Sequence, residues 1–364
     1  MKSLLTLCCA ILLIFEVNAQ NIWIADNRPT APSGSHIFAD VASAITAASP
    51  GDIIHIIPSQ TFYPDFTITK DSLTFFGIGF NPDKDQPNKT WVANVIIATG
   101  VFGTRISGLN VNDDLTIGNG DGSTGNIFIE NGDIDRITTT TAGSPGKSLS
   151  NVVIRNCVIG FRETSLSQVI NLTQETNPTS IVITNNVIMG SSTTSSGGYG
   201  SINVADAIIK NNLFLGDGSS DFAFNSVTTT TITNNIFYGR APISDAVTGT
   251  LNNSTFTNNM SFSTGNDTFP IGSNGNTGSG NFEATDPQFV GVSVVDDWDF
   301  ANDPSLSGGS AINGGNDGTD IGLTGGTIPF SITGTPLPTI RVLRLPEIIK
   351  QGDNVDATIE ADGN

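Results

Sequence analysis

Short runs of alternating apolar and polar residues, each broken by an asparagine corner, recur along the middle of the chain. They occupy residues 152–160 (VVIRNCVIG), 181–190 (IVITNNVIMG), 207–216 (AIIKNNLFLG), 231–239 (TITNNIFYG) and, in worn form, 255–262 (TFTNNMSF). The first asparagine of each falls at 156, 185, 211, 234 and 258, giving spacings of 29, 26, 23 and 24 residues. Alternation with a period of two predicts strands. Each unit reads as a short strand, an asparagine corner and a second short strand, ending in glycine in the first four. The spacing is too long for hairpins and too variable for propeller blades, so the units are coils of a solenoid whose loops absorb the variation. Asparagine takes a left-handed backbone at a corner with little strain. The same pattern predicts that each first asparagine, Asn234 for example, pairs its amide with the equivalent residue of the next coil, giving a ladder along the axis.

Weaker copies extend the stack: Ile106-Ser107-Gly108-Leu109 and residues 127–131 upstream, and Gly280-Asn281-Phe282 downstream. With strands at 53–57 and 73–76 in front, the count reaches about nine coils. Solenoids need capped ends. Val41, Ala44, Ile45 and Ala48 fall at helical spacing after an Asp40 N-cap and before Pro50-Gly51, predicting an amphipathic helix over the first coil. Residues 310–326 are expected to close the last coil with tight turns. Pro329, Pro336 and Pro338 then mark a linker, and strand-like runs at 339–345 and 354–361 follow as accessory strands. The fold class is therefore all-β, a single-stranded parallel β-helix. Residues 20–330 form the solenoid, and 331–364 form the linker and accessory strands.

The asparagine repeat, the helix followed by Ser49-Pro50-Gly51-Asp52-Ile53-Ile54, and the closure Ser310-Ala311-Ile312 … Gly318-Thr319-Asp320-Ile321-Gly322 resemble right-handed parallel β-helix proteins of the pectin-lyase-like superfamily. The resemblance covers about residues 22–330 and, more narrowly, is to secreted bacterial members of mostly unassigned function. It implies a right-handed coil and, by analogy of fold alone, contact with polysaccharide; it implies no particular reaction.

Charge and the first residues narrow the setting. Of 364 residues, 15 are Lys or Arg and 34 are Asp or Glu, a net charge of −19. That balance argues against nucleic acid or an anionic membrane as partner, and two histidines exclude a His-rich metal site. Residues 1–19 read as a secretory signal peptide: Lys2, an apolar stretch over 4–15, then Val17-Asn18-Ala19 before the cut. Twelve apolar residues do not span a bilayer. The mature protein is thus expected outside the bacterial cell or on its surface, with no membrane-spanning segment. Processing would remove Cys8 and Cys9, leaving Cys157 as a lone core thiol and stability to burial rather than disulfides. Oligomeric state is not encoded in any pattern here.

Three chemistries arise on such a fold. A galacturonase-type hydrolase of this superfamily uses an Asp-Asp with Gly-His and Arg-x-Lys motifs. Asp113-Asp114 and Asp296-Asp297 occur, but no Gly-His or Arg-x-Lys does, and His55 reads as a strand residue. A polysaccharide lyase acting on uronic-acid glycans would draw on Asp133, Asp135, Arg136 and Arg162, the one central cluster of both signs, with Glu163 beside it. Calcium, an oxygen-seeking ion, would suit such carboxylates. The run Gly118-Asn119-Gly120-Asp121-Gly122 lacks the spaced acids of an EF-hand. Glycan binding without chemistry, which requires no cofactor, is the third. Strands expected at 168–173, 201–205 and 222–227 turn Ile170, Leu172, Ile202, Val204, Phe222 and Phe224 inward. They turn Asn171, Asn203 and Asn225 outward, with Tyr199 and Glu163 placed to border that column. Binding is the leading reading and lyase chemistry the alternative. Outward Thr184, Thr233 and Thr257 suggest an ice-binding array, but Lys210 interrupts the column.

Overall fold

The computed structural model describes residues 20–80, 89–139, 148–160, 168–172, 179–190, 201–217, 222–243, 251–294, 298–331, 339–344 and 358–362. Residues 1–19, the segment read as a signal peptide, lie outside them.

The described chain winds through three walls of short strands. Twelve strands form the first sheet, in the order Ile37–Phe38, Ile22–Ala25, Ile53–Ile56, Thr74–Phe76, Arg105–Ser107, Ser123–Glu130, Ser148–Arg155, Thr179–Thr184, Ala207–Lys210, Thr231–Thr233, Thr255–Thr257 and Thr277–Ser279. The second sheet holds 14 strands and bends into two walls. Val158–Ile159, Val187–Ile188, Leu213–Leu215, Ile236–Tyr238 and Met260–Phe262 make the second wall, which follows the asparagine corner. Ile170–Asn171, Ile202–Ala205, Phe224–Thr228 and Leu251–Asn252 make the third. Asp133–Thr138 runs across both, pairing with Val158–Ile159 at one end and Ile170–Asn171 at the other. Every pairing within these two sheets is parallel. The molecule is thus a parallel β-helix, and crossovers between parallel strands are right-handed in nearly all proteins.

The register stacks like on like. Ile129, Ile154, Ile183, Ile209, Ile232 and Phe256 follow one another inward from the first sheet and are at most 1% exposed. At the corner after this sheet, Asn131, Asn156, Asn185, Asn211, Asn234 and Asn258 all have φ between 52° and 56°, with Gly108 and Gly280 continuing the left-handed position at either end. The predicted corner is present, but the ladder belongs to the residue after it. Asn186 Nδ2 donates to Asn212 Oδ1, Asn212 to Asn235, Asn235 to Asn259 and Asn259 to Asn281, each at 3.0 Å. Each Oδ1 also accepts the backbone N–H of the preceding rung at 2.9–3.0 Å, starting from Cys157 N–H on Asn186. A left-handed residue sends its own side chain outward and turns the next one into the core, which is why the two asparagines divide the work. The opposite corner carries a shorter polar ladder in which Thr230, Ser254 and Asn276 accept the N–H groups of Ala207, Thr230 and Ser254.

The outward first asparagines hold the C-terminal segment. Asn258 Nδ2 donates to Gly314 O at 2.8 Å. Asn234 contacts Asn316 and Asp317, Asn211 donates to Asp320 O and Gly322 O, and Asn185 donates to Leu323 O and Gly325 O. Residues 310–326 therefore run back along four coils as a strap instead of closing the last coil as expected. Ala311, Ile321, Leu323 and Phe330, with Trp298, roof the outward apolar row Val158, Val187, Leu213, Ile236 and Met260 of the second wall. The end of the stack is closed by Phe269, which is 3% exposed and packs against Phe237 and Phe256.

At the other end a helix, Val41–Ala47, is capped by Asp40, whose side chain accepts from Ser43 N at 2.7 Å. Val41, Ala44 and Ile45 are buried against the first strands. Thr339–Arg344 and Thr358–Asp362 pair antiparallel with each other. Among the described residues no helix is long and apolar enough to cross a membrane.

The division of labour predicts opposite outcomes for neighbouring substitutions. Asn235→Leu strands the Asn212 N–H and the Ile209 carbonyl inside the core and should cost about 2–4 kcal/mol at ~1–3 kcal/mol per buried unpaired group. Asn234→Gly keeps the left-handed corner and loses its strap contacts and one long bond from Thr233 Oγ1, so it should cost about 1 kcal/mol. Urea midpoints of the two variants check the order.

Candidate functional site

The third wall is built from strands whose inward residues, Ile170, Ile202, Phe224 and Leu251, are at most 4% exposed. Their outward neighbours are polar. Asn171 stands in register beside Asn203, and Thr138 beside Asn171. Between Ile202 and Asn203 the register slips by one residue, so that Ser226 faces Asn203 and Asn225 becomes the extra residue of a bulge. Asn225 Nδ2 still reaches Asn203 Oδ1 at 2.9 Å. The three asparagines therefore lie on one wall, although Asn203 is only 9% exposed while Asn171 and Asn225 are half-buried.

A second outward row begins nearer the N-terminus. Asp65 accepts Asn94 N at 2.9 Å and Asn94 Nδ2 at 3.0 Å; Asn94 Oδ1 accepts Asp114 N at 3.2 Å. Asp114 then holds Arg136 through both carboxylate oxygens, Nε at 2.5 Å and Nη2 at 2.7 Å. Pairing explains the row, since Asp114 and Arg136 are register partners on adjacent strands. Sequence reading paired Asp114 with Asp113 and missed this chain, because the contact crosses 22 residues.

The lyase candidates separate along one strand. Asp133 is paired with Asn110 and Val158, on the second wall, and is 1% exposed. Asp135 is 8% exposed and sits where the register with the preceding strand shifts. Arg136 belongs to the third wall with Asp114. Arg162, Glu163 and Tyr199 lie outside the described residues. Among the described residues no group of three or more His, Cys, Asp and Glu side chains is placed to hold a metal.

Two further titratable groups, His55 and Arg240, are structural in their surroundings. His55 lies half-buried on the strand Ile53–Ile56 with its ring 5.5 Å from Phe76, and burial lowers its pKa. The guanidinium of Arg240 is fully buried, donating from Nε to Leu215 O at 2.9 Å and from Nη2 to Gly190 O at 3.1 Å. It ties the glycine-ended corners of three coils. Gly239 permits this approach: its φ is +73°, and an added Cβ would fall 1.9 Å from Gly216 O.

Against this geometry the comparisons are sparse. No protein-family model and no curated protein matches the chain. Among solved structures, pectate lyase Pel9A aligns with 14% identity and a TM-score of 0.44, covering 84% of this chain and 96% of that one. A rhamnogalacturonan lyase aligns with 11% identity and a TM-score of 0.28, covering 67% and 68%. The class, a parallel β-helix, rests on the strand pairing itself, and the chemistry of those two enzymes stays with them.

Cys157 is ruled out as a nucleophile by its setting. Desolvation at 0% exposure, reinforced by the nearby charges of Glu130 and Asp133, pushes the thiol up to about 12. The thiolate is the reactive form. Protein produced without residues 1–19 should therefore leave Ellman's reagent unconsumed at pH 8 while native, and one equivalent of thiol should react once urea unfolds it.

Proposed function

We infer that this protein contacts polysaccharide along its third wall and does so without chemistry of its own. The observation that carries the reading is the amide column Asn171, Asn203 and Asn225, set on a rigid sheet and partly open to solvent. An amide offers both donors and an acceptor, as sugar hydroxyls do, and sheet-borne groups lose little entropy on binding. The column is uncharged, which suits a neutral, hydroxyl-rich chain. The commitment of Arg136 to Asp114 supports binding over β-elimination, because a base must be free to accept the substrate proton.

Secretion, the role of Tyr199 and Glu163 at the border of the column, and independence from calcium belong to the same reading. A panel of neutral plant and microbial polysaccharides in affinity electrophoresis tests it. The wild-type chain should be retarded by at least one, and Asn171→Ala with Asn225→Ala should weaken that retardation about tenfold. Retention unchanged by the pair would remove the third wall from consideration. The lyase alternative is tested with polygalacturonate, with and without calcium. Ultraviolet absorbance of an unsaturated product, abolished by Arg136→Ala or Arg162→Ala, would overturn the binding-only reading.

A further inference from the structure

The outer face of the first sheet carries two columns that the third-wall reading leaves unused. Strand pairing sets Phe128, Val153, Val182 and Ile208 side by side on four consecutive strands. Phe128 and Ile208 are 41% and 42% exposed, and the valines between them are partly exposed. Two residues along the same strands run Glu130, Arg155, Thr184 and Lys210. Glu130 is 3% exposed and takes one guanidinium on each carboxylate oxygen. Arg105 binds Oε1 through Nε at 2.7 Å and through Nη2. Arg155 binds Oε2 at 2.8 and 2.6 Å. Asp317 of the strap senses Lys210 at the margin. Arg105 and Arg155 thus share the single carboxylate of Glu130, a net positive pair on this face, with Lys210 two strands on and Asp206 and Asp317 at the margins.

We propose that this face is a track for an acidic polysaccharide, distinct from the third wall. Neighbouring strands lie ~4.8 Å apart, a distance comparable with one pyranose unit of an extended chain. A glycan running along the solenoid axis therefore meets one apolar side chain per strand with the C–H face of a ring. Its carboxylates meet Arg105, Arg155 and Lys210. Glu130 holds both guanidiniums in fixed planes, so little rotamer freedom is lost when they take a second anion. Charges beyond a Debye length of ~8–10 Å are screened, so the two guanidiniums on the one Glu130 carboxylate act locally as a positive site. A second copy of the chain is a poorer occupant, because a two-fold contact would set this cationic column against itself.

The full chain carrying Phe128→Ser and Lys210→Glu tests the track by affinity electrophoresis through polygalacturonate and, separately, galactan. Polygalacturonate should retard the wild type, less so with added salt, and the double variant should lose about tenfold in apparent affinity. Any galactan retardation should be unchanged by the double variant. Asn171→Ala with Asn225→Ala should leave polygalacturonate binding intact, so a failure of the third-wall reading and a failure of this one are separable. Ile208→Ser, at the far end of the stripe, serves if the double variant melts early. The proposal is overturned if polygalacturonate does not retard the wild type, or if the first-sheet variants bind it unchanged. Equal loss of galactan and polygalacturonate also overturns it, as does a wild-type dimer in sedimentation velocity that the first-sheet variants dissolve.

Discussion

Vertical register between successive coils is the constraint from which everything else in this molecule descends. Parallel pairing alone lets a strand slip by a residue, and a slip exchanges its inward and outward faces. The buried amides forbid it at the corner. Asn212 can satisfy its own Oδ1, its Nδ2, and the N–H and carbonyl groups it serves only when Asn186 and Asn235 stand directly below and above it. A shifted coil would bury several unpaired groups at once, each costing about 1–3 kcal/mol. The ladder therefore fixes which side chains stack outside as firmly as it fixes those inside, and any surface column on this protein inherits its spacing from it.

The three walls then take different fates from the same register. Left-handed first asparagines turn outward along one edge of the second wall, where they hold the strap that roofs its apolar row. That wall is closed by the chain itself. The third wall keeps a polar column, Thr138, Asn171 and Asn203, with an upstream row that ends in the Asp114–Arg136 pair. The first sheet keeps an open stripe of aliphatic and aromatic side chains beside fixed guanidiniums. The third wall and the first sheet thus present different chemistries, one a row of uncharged amides and the other an apolar stripe beside guanidiniums, on coils held in one register.

Much of this was legible in the residues. Alternation on either side of a recurrent asparagine specified strand, corner and strand. The capping aspartate specified the helix start, and the inward set of the third wall was read correctly from period two. What the pattern hid was which of two adjacent identical residues does which job. Asn234 and Asn235 are chemically equal in the sequence, and only the outward swing produced by a φ of 55° separates strap-holder from ladder rung. The strap was hidden for a related reason. Its glycines and asparagines read as turns wherever they lie, and the contact between Asn185 and Gly325 spans 140 residues.

Asp133 and Arg136 fall on different walls because one strand serves both. Asp133 and Arg136 are three residues apart, close enough on a single flat sheet to look like a site. Here the strand Asp133–Thr138 turns the corner between walls, with a register shift between Ile134 and Arg136. Its first carboxylate is carried to the roofed side and its arginine to the open one. Once on the open wall, Arg136 lies level with Asp114 of the coil before, so the parallel register that separates it from Asp133 also supplies its partner. A charge pair in a β-helix is thus read from the neighbouring coil, roughly one repeat away, rather than from the residues beside it in the chain. The same rule brings Arg105 and Arg155 onto Glu130 from the coils on either side, each 25 residues distant.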